Sequence, residues 1–468
     1  MSGPRIVVIG GGSFYSINLC ESFVDYARDH LKGATVVLLD VKDGDLQVVD
    51  SFAQRLAQEV GADVTFEPTT DREQAFRGAD YLLTTFRPGS HAQQQLDETI
   101  PPKHGLQGNE TVGIGGIFMN CRVAPVMQEL VRDAERWCPD ATIVNYTNPT
   151  QYVADLVQRV SDVKMISLCD GYVELAATMA QFLEVDANDI RFYPAGTNHA
   201  WWLMRWTVGD RDGYEVLDER LASLSEEQLE ALLTPPRVMV RRGTEYRYEE
   251  LYKQAIENAG MDLALRLYKL YGLFPGPRYY WRYLIDQDAV IAEQQRDDYV
   301  TMSEFYIKTR NPRGWAALEQ RLADTSLQLR SERRAQGGGH GDLAVGVISA
   351  LAADLDETFI VNVPNDGAVA NLPADAIVEV PARLDRHGVH PYAMGSLPKA
   401  LLGFQQALVL SQQLSVDAAL SGSRDQLLQA IVAHPLVNSL DRARACMDEL
   451  LEAQAEWLPQ FQKEMSHA

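Results

Sequence analysis

Residues 5–13 are Arg5-Ile-Val-Val-Ile9-Gly10-Gly-Gly-Ser13, and helical spacing of apolar residues follows from Phe14 to Leu31. An unbroken apolar run of this kind is typical of a strand buried on both faces, as in a parallel sheet. Glycines after such a strand let the backbone approach a pyrophosphate, and the N-terminus of the next helix presents unpaired N–H groups. The stretch therefore predicts the strand, turn and helix that open a Rossmann-type nucleotide-binding fold.

The expected nucleotide site extends beyond these glycines. Asp40 ends a second apolar run, where its carboxylate would accept hydrogen bonds from the ribose hydroxyls and disfavour a 2′-phosphate, so we expect NAD rather than NADP. Tyr15 stands where the usual third glycine would be, which leaves a simple strand-to-helix corner as the alternative. The candidate cofactor-binding residues are Gly10, Gly12, Ser13, Phe14, Asp40 and Arg87.

Short apolar runs recur along the first 170 residues, with helix-like segments between them. They predict a doubly wound parallel sheet with helices on both faces, as in lactate and malate dehydrogenases. From about residue 190 the chain becomes richer in Trp, Tyr and Arg, and the helical patterns become longer. We therefore expect an NAD-binding Rossmann domain over 1–195 and an α+β domain over 196–468 that covers the substrate, holds the metal and forms oligomer contacts. The later runs are Ala34–Leu39, Tyr81–Thr85, Ala141–Asn145 and Val163–Leu168.

The composition excludes several classes of protein. Of 468 residues, 65 are Asp or Glu and 42 are Lys or Arg, which gives a net charge of −23. Such a field repels nucleic acid and anionic membranes, so an anionic ligand needs a local site. Five widely spaced cysteines indicate a reducing compartment rather than a disulfide framework. With no signal-peptide pattern and no apolar run of about 18 residues, we expect a cytoplasmic protein without a membrane span.

Polar side chains cluster at the ends of two predicted strands and at one later position. Asn148 follows the run that ends at Asn145, Cys169 and Asp170 follow the next run, and His199 comes later. Carboxyl ends of strands in a doubly wound sheet meet at the ligand crevice. A thiolate and an imidazole together suit a transition metal. Taken alone, Cys169 is typical of a buried core residue and His199 of a structural histidine, so the predicted metal site depends on their combination.

A series of short motifs runs along almost the whole chain, and in this order they resemble those of glycoside hydrolase family 4. A related group of NAD-dependent sulfoquinovosidases is similar too. The motifs are Gly10-Gly-Gly-Ser13, Asp97-Glu98, Asn109-Glu110-Thr111-x-Gly113-x-Gly115-Gly116, Asn148-Pro149, Cys169-Asp170, Asn198-His199, Asn362-Val-Pro-Asn365-x-Gly367, Leu372-Pro373 and Val378-Glu-Val-Pro381.

The resemblance implies an NAD-dependent cleavage instead of the usual two-carboxylate mechanism. Hydride passes from carbon 3 of the sugar to NAD, which acidifies the proton on carbon 2. A base removes that proton, the glycosidic bond breaks by elimination, water adds, and the reduced cofactor restores the hydroxyl. A divalent metal, usually manganese in this family, polarises the sugar oxygens.

The resemblance also implies roles for individual residues. Cys169 and His199 would bind the metal. Asn148 would hydrogen-bond the sugar, and Glu110 would line its pocket. Asp170 matches the general acid of the α-cleaving members, which favours an α-glycoside as substrate.

The base of the family is a tyrosine that follows a proline. Tyr280 matches this position best, and Tyr279 and Tyr283 remain candidates because the loop could be shifted by one residue. A tyrosine base needs a lowered pKa, which the metal and the nearby Arg278 and Arg282 would favour. The alternative interpretation is an aromatic cluster that packs under a loop.

The chain departs from the phosphosugar-cleaving members at two places. Residues 93–95 are glutamines where such members carry an arginine, and Gly171-Tyr172 replaces a turn that contains proline. Arg278 and Arg282 could bind a carboxylate, phosphate or sulfonate at carbon 6, as in an uronide, a 6-phosphoglycoside or a sulfoquinovoside. Both arginines could instead pair with surface acids. His340 follows three glycines and is either a mobile pocket residue or a solvent-exposed loop residue.

Two other functions remain open at this point. One is a lactate/malate-type dehydrogenase of a small metabolite, which would consume NAD stoichiometrically. The other is a catalytically idle NAD-binding regulator, although the presence of Cys169, Asp170 and His199 argues against it. For the glycosidase we expect a small-molecule glycoside as the partner, no nucleic acid or membrane, and a homodimer or homotetramer.

Overall fold

The computed structural model describes residues 3–233, 261–277, 280–330 and 340–462. Its strands fall into two sheets, and most of them lie in the first half of the chain. The strands are β1 (Arg5–Ile9), β2 (Ala34–Leu39), β3 (Val64–Thr69), β4 (Tyr81–Thr84), β5 (Thr142–Asn145), β6 (Lys164–Ser167), β7 (Ile190–Ala195), β8 (Trp201–Val208), β9 (Arg211–Asp212), β10 (Pro275–Gly276), β11 (Glu357–Pro364), β12 (Ile377–Asp385) and β13 (Gly388–Pro391).

The larger sheet has the strand order β13-β12-β11-β6-β5-β4-β1-β2-β3. Strands β1 to β6 run parallel in the order 3-2-1-4-5-6, which is the Rossmann arrangement. The prediction of a doubly wound parallel sheet is thus confirmed. Strand β11 then adds antiparallel to β6, with Asn362 opposite Ser167, and β12 and β13 continue the sheet. A smaller antiparallel sheet contains β7, β8, β9 and β10. The boundary at residue 195 stays a prediction.

Helices cover both faces of the large sheet. Ile6 and Val8 of β1 belong to one hydrophobic core and Val7 and Ile9 to the other, because alternate side chains of a strand point to opposite faces. Helices α1, α2, α7 and α15 contribute to the first core, and α3, α5, α6, α16, α17 and α18 to the second. The helices are α1 (Ser16–Tyr26), α2 (Asp43–Val60), α3 (Arg72–Phe76), α4 (Ser90–Lys103), α5 (Gly113–Trp137), α6 (Thr150–Val160), α7 (Gly171–Leu183), α8 (Gly213–Ser223), α9 (Glu226–Leu233), α10 (Met261–Tyr271), α11 (Tyr280–Ile285), α12 (Gln287–Gln294), α13 (Met302–Phe305), α14 (Asn311–Ala323), α15 (His340–Ala353), α16 (Lys399–Ser421), α17 (Arg424–Ala433) and α18 (Leu440–Ala453).

Between α13 and α14, Tyr306–Arg310 forms a single π-helical turn. Within the described part of the chain, none of the helices combines the length and the apolarity needed to cross a membrane.

A buried ion pair joins α4 to α5 and is hydrogen-bonded to the C-terminal part of the chain. The Arg122 guanidinium on α5 donates to both carboxylate oxygens of Asp97 on α4, and both side chains are at most 1% exposed. Gln454, just after α18, hydrogen-bonds both of them. Burial raises the pKa of Asp97 even though Arg122 opposes the shift. The pair is therefore costly to desolvate and even more costly to break.

We predict that Asp97→Ala lowers the free energy of unfolding by about 3–5 kcal/mol, because it leaves the Arg122 charge buried without its carboxylate. Urea denaturation followed by circular dichroism measures the loss. The control is Glu219→Ala, which breaks an exposed pair with Arg211 and should leave the unfolding midpoint unchanged. Equal effects of the two substitutions would contradict the prediction.

Candidate active site

The turn after β1 is tight and held by its neighbours. The N–H group of Gly10 donates to the Leu39 carbonyl, and the N–H group of Gly12 donates to the Asp40 carboxylate, both at 2.9 Å. Gly10 has a φ of +100°, and a Cβ at this position would lie 2.4 Å from the Thr85 carbonyl oxygen. Only glycine fits there, so the turn stays close enough to the sheet for a nucleotide pyrophosphate to reach the start of α1.

The neighbours of this turn also contact the second half of the chain. The ring of Phe14 lies 2.6 Å from where a Cβ of Gly314 in α14 would be, so the helix and the turn are in close contact. Arg87, which follows β4, forms an ion pair with Glu110. Thus a residue predicted to bind the cofactor contacts one predicted to line the sugar pocket, and the two predicted sites adjoin.

Cys169 and His199 meet just beyond the carboxyl end of β6. His199 lies between β7 and β8 in a left-handed backbone conformation with a φ of +63°. The Sγ atom of Cys169 is 3.3 Å from Nε2 of His199, and both side chains are buried. Burial raises the pKa of the Cys169 thiol well above its ordinary value and lowers the pKa of the His199 imidazole to about 3. The imidazole is therefore already in the neutral form that binds metals.

The chemistry of this donor pair fits a divalent transition metal. A thiolate and a neutral imidazole are ligands for such ions and poor ligands for calcium. In residues 3–233, 261–277, 280–330 and 340–462, no group of three or more His, Cys, Asp or Glu side chains is placed to hold a metal. Within these ranges Cys169 and His199 are a candidate pair of ligands, and an ion held by this pair would keep open positions for substrate oxygens.

A buried carboxylate supports the pair from behind. The Asn198 amide donates to Oε2 of Glu379 on β12 at 2.6 Å and also hydrogen-bonds Cys169. Glu379 is fully buried, and burial raises its pKa to about 8. The motif Val378-Glu-Val-Pro381 contains this residue but did not assign it a role. The sequence signal that could have singled it out is a lone carboxylate within the otherwise apolar residues 376–382.

The predicted acid and base adjoin the Cys169–His199 pair. The Tyr280 ring stacks on the His199 ring with centroids 3.9 Å apart and an angle of 14°. Asp170 directly precedes α7, next to Cys169, and is near enough to influence the pKa of His199. Tyr283, the alternative base, hydrogen-bonds Asn109, and burial raises its pKa to about 12. Of the two described tyrosines, Tyr280 is the one stacked on His199, and which of them is the base stays a prediction.

Other predicted residues have different surroundings. Arg282 forms an ion pair with Glu293 at 3.0 Å, which agrees with the alternative that it pairs with an acid. Asn148 is partly buried at the end of β5, just before α6. His340 begins α15, but its side chain, like Arg278 and Tyr279 as a whole, lies outside the described residues.

Three residues near the site were not predicted from the sequence. The His91 ring stacks on the Tyr306 ring at 4.9 Å, and the Arg310 guanidinium lies 5.0 Å from the centre of the same ring. The Tyr306 ring also lies edge-on to the ring of Tyr15 in the glycine turn, with centroids 6.5 Å apart. No spacing pattern indicated them, because the contact of His91 with Tyr306 joins distant segments and Tyr306 and Arg310 lie on a π-helical turn.

Known protein families match the chain almost from end to end. Residues 5–185 match the family 4 glycosyl hydrolases, and residues 194–437 match the C-terminal domain of that family. The chain belongs to glycosyl hydrolase family 4. Membership confirms the resemblance drawn from the motifs and makes this chain a glycoside hydrolase. It disfavours the dehydrogenase and the idle regulator.

Individual members of family 4 resemble the chain over its full length. A Bacillus subtilis protein named "Probable 6-phospho-beta-glucosidase" is 30% identical over 467 residues, which cover 98% of each chain. A crystal structure of a 6-phospho-alpha-glucosidase from gut microorganisms in complex with NAD and glucose-6-phosphate is 26% identical, with a TM-score of 0.82 over 97% of this chain and 99% of that one. Another such structure, in complex with NAD and Mn²⁺, is 24% identical with a TM-score of 0.82 and covers 98% and 99%.

The expected preference for NAD is testable at Asp40. We predict that Asp40→Ser shifts the ratio of the dissociation constants for NAD and NADP by about tenfold or more towards NADP, because the carboxylate that would bind the ribose hydroxyls and repel a 2′-phosphate is lost. Fluorescence titration with both nucleotides measures the ratio. Asp43→Ser changes an exposed carboxylate three residues away and should leave the ratio unchanged. An unchanged ratio in Asp40→Ser would refute the assignment.

Proposed function

We propose that this family 4 glycosyl hydrolase cleaves an α-glycoside whose sugar carries an anionic group at carbon 6, and that it uses NAD and a divalent metal such as manganese. One observation carries the proposal. Cys169 and His199 lie at the edge of the sheet where β1 ends and the glycine turn begins. Tyr280 stacks on His199, and Asp170 is next to Cys169. A candidate metal site, acid and base thus adjoin a candidate nucleotide site.

NAD and the metal would each supply a different part of the reaction. NAD would accept a hydride from the sugar and return it, while the metal would act as a Lewis acid towards the sugar oxygens. The solved relatives with NAD, and in one case Mn²⁺, support this pair of cofactors. Residues proposed to hold NAD are Gly10, Gly12, Ser13, Phe14, Asp40 and Arg87, and those proposed to hold the metal are Cys169 and His199.

The proton transfers are assigned to Tyr280 and Asp170. Tyr280 takes the proton from carbon 2, and its stacking on His199 keeps the phenol beside the metal site. Asp170 gives a proton to the leaving oxygen. Asn148 and Glu110 bind the sugar hydroxyls. The relatives include enzymes named for α-glucosides and for β-glucosides, so they do not decide between the two. The choice of an α-glycoside therefore depends on Asp170, which matches the general acid of the α-cleaving members.

The relatives named for 6-phosphoglucosides support an anionic sugar as substrate. The glutamines at 93–95 leave a uronide and a sulfoquinovoside open beside a 6-phosphoglycoside. We also propose that the enzyme acts in the cytoplasm as a homodimer or homotetramer. A reducing compartment would keep the Cys169 thiol available for the metal.

We predict release of the aglycone from an aryl α-glycoside by the enzyme with NAD, Mn²⁺ and a reductant, without accumulation of NADH. Absorbance at the aglycone and NADH wavelengths follows both quantities. The panel contains α- and β-glycosides with neutral, carboxylate, phosphate or sulfonate groups. Cys169→Ser and His199→Ala should abolish release, whereas Cys138→Ser, far from the site in the second core, should not. Cleavage without NAD, or one NADH per product, would overturn the proposal.

A second prediction concerns the base. In deuterated buffer the wild-type enzyme should exchange the proton on carbon 2, and Tyr280→Phe should slow the exchange by about 100-fold or more because the accepting phenol is gone. Nuclear magnetic resonance of the released sugar measures it. Tyr283→Phe, three residues along the same helix, should change the exchange only slightly. If Tyr283→Phe abolished the proton exchange and Tyr280→Phe left it normal, Tyr283 rather than Tyr280 would be the base.

A further inference from the structure

The loop between β7 and β8 carries the proposed metal ligand His199 in an uncommon backbone conformation. Residues 197–200 form a β-turn, in which the N–H group of Ala200 donates to the Thr197 carbonyl at 3.0 Å. His199 is the third residue of this turn and has a φ of +63°. A positive φ at this position usually belongs to glycine or asparagine, because a Cβ atom is crowded there. The turn therefore needs support from its surroundings to keep this shape.

A glutamine of α16 supplies that support. The side-chain oxygen of Gln405 accepts hydrogen bonds from the Thr197 N–H group at 2.9 Å and from the Thr197 hydroxyl at 3.2 Å. The side-chain nitrogen of Gln405 donates to the Ala200 carbonyl. One side chain thus bonds the first and the last residue of the turn and spans the two residues between them, Asn198 and His199.

The position of Gln405 inside the protein gives its amide a specific purpose. Gln405 and Thr197 are both completely buried. A buried amide costs free energy unless its polar atoms are hydrogen-bonded, and here both the oxygen and the nitrogen are. Gly196 lies against the same side chain, since a Cβ atom at this position would be 3.1 Å from Oε1 of Gln405. A methionine of similar volume would fill the space, so what the glutamine adds is its bonds to the turn.

Two further elements hold the same loop. The N–H group of Asn198 donates to the side-chain oxygen of Gln151 on α6 at 2.8 Å. The Glu379 N–H group on β12 donates to the Gly196 carbonyl at 2.8 Å, and the Glu379 carboxylate accepts from the Asn198 amide. Gln412 of α16 donates in turn to the Gln151 carbonyl at 3.2 Å. Helix α16 therefore supports the loop indirectly as well as directly.

We infer that Gln405 is a positioning residue for the proposed metal site, because it keeps the turn at 197–200 closed and so holds the His199 imidazole against the Cys169 sulfur. The inference rests on the proposed role of Cys169 and His199 as metal ligands. Nε2 of His199 lies 3.3 Å from Sγ of Cys169, so both ligand atoms already face the same space. Without the bonds of Gln405, His199 would relax towards the negative φ that a residue with a Cβ atom prefers, and the two ligand atoms would separate. Residues that orient metal ligands from outside tune the affinity for the ion.

Titration of the metal-free enzyme with Co²⁺ tests this role without turnover. Co²⁺ is the probe because its bond to a thiolate gives a charge-transfer absorption that follows the occupancy of Cys169. Gln405→Met keeps the volume and removes the bonds to the turn. We expect it to raise the Co²⁺ dissociation constant by about 10- to 100-fold, as expected for a residue that orients a metal ligand. The dissociation constant for NAD, measured by fluorescence, should change by less than about twofold, because the glycine turn is not part of this contact network.

Two further variants sharpen the test. Ser411→Ala removes an equally buried hydrogen bond of the same helix, from the Ser411 hydroxyl to the Ala430 carbonyl at 2.8 Å, and should leave the Co²⁺ dissociation constant unchanged. Thr197→Val removes one bond to Gln405 and keeps the others, so we expect a smaller loss of about two- to tenfold. Thr197→Val gives a result even if Gln405→Met does not fold, which circular dichroism reports.

The outcomes separate the inference from the metal site on which it rests. Unchanged Co²⁺ affinity in folded Gln405→Met, the same loss in Ser411→Ala, or an equal loss of NAD affinity would overturn the role of Gln405 and leave the metal site intact. If Gln405→Met does not fold, unchanged Co²⁺ affinity in Thr197→Val would overturn that role. If Cys169→Ser bound Co²⁺ as tightly as the wild-type enzyme does, the proposed metal site itself would be wrong.

Discussion

The parallel direction of β1, β4, β5 and β6 is the constraint on which the site depends. Parallel neighbours need a crossover helix between them, so all their carboxyl ends reach the same edge of the sheet. Four turns separated by long stretches of sequence are thereby brought side by side. They carry Gly10, Arg87, Asn148 and Cys169. The direction of the strands alone therefore brings these residues to one crevice, whatever specific contacts their side chains make.

Burial then sets the protonation of the groups at this edge. The thiol of Cys169 and the imidazole of His199 both lose their charged forms because water is excluded, and Glu379 behind them has its pKa raised for the same reason. A divalent cation would find the His199 imidazole already neutral, whereas the Cys169 thiol would have to lose its proton to bind the cation. Asn198 hydrogen-bonds both Glu379 and Cys169, and so connects strand β12 to the candidate metal site.

The amino-acid sequence predicts the parts of this protein that depend on local patterns. Unbroken apolar runs such as Arg5–Ile9 identify the parallel strands, and polar residues at their ends identify Cys169 and Asp170. The three strands β11 to β13 were not predicted to join the Rossmann sheet, because strand pairing between Asn362 and Ser167 leaves no local trace. Likewise Arg310 stands on a π-helical turn, which breaks the regular spacing that sequence patterns rely on.

The antiparallel addition of β11 to β6 has a consequence for how the chain folds. Strand β6 is followed by about 190 residues before β11 returns to pair with it. During synthesis, β6 is therefore an open edge with unpaired N–H and C=O groups until the later segment emerges from the ribosome. The N-terminal part of the chain lacks the strand that pairs with β6. A fragment truncated before residue 357 would therefore leave the edge of β6 unpaired and able to pair with other chains. The same late segment carries Glu379, which contacts Asn198 beside the candidate metal pair. The sheet and this contact therefore form at the same stage of synthesis.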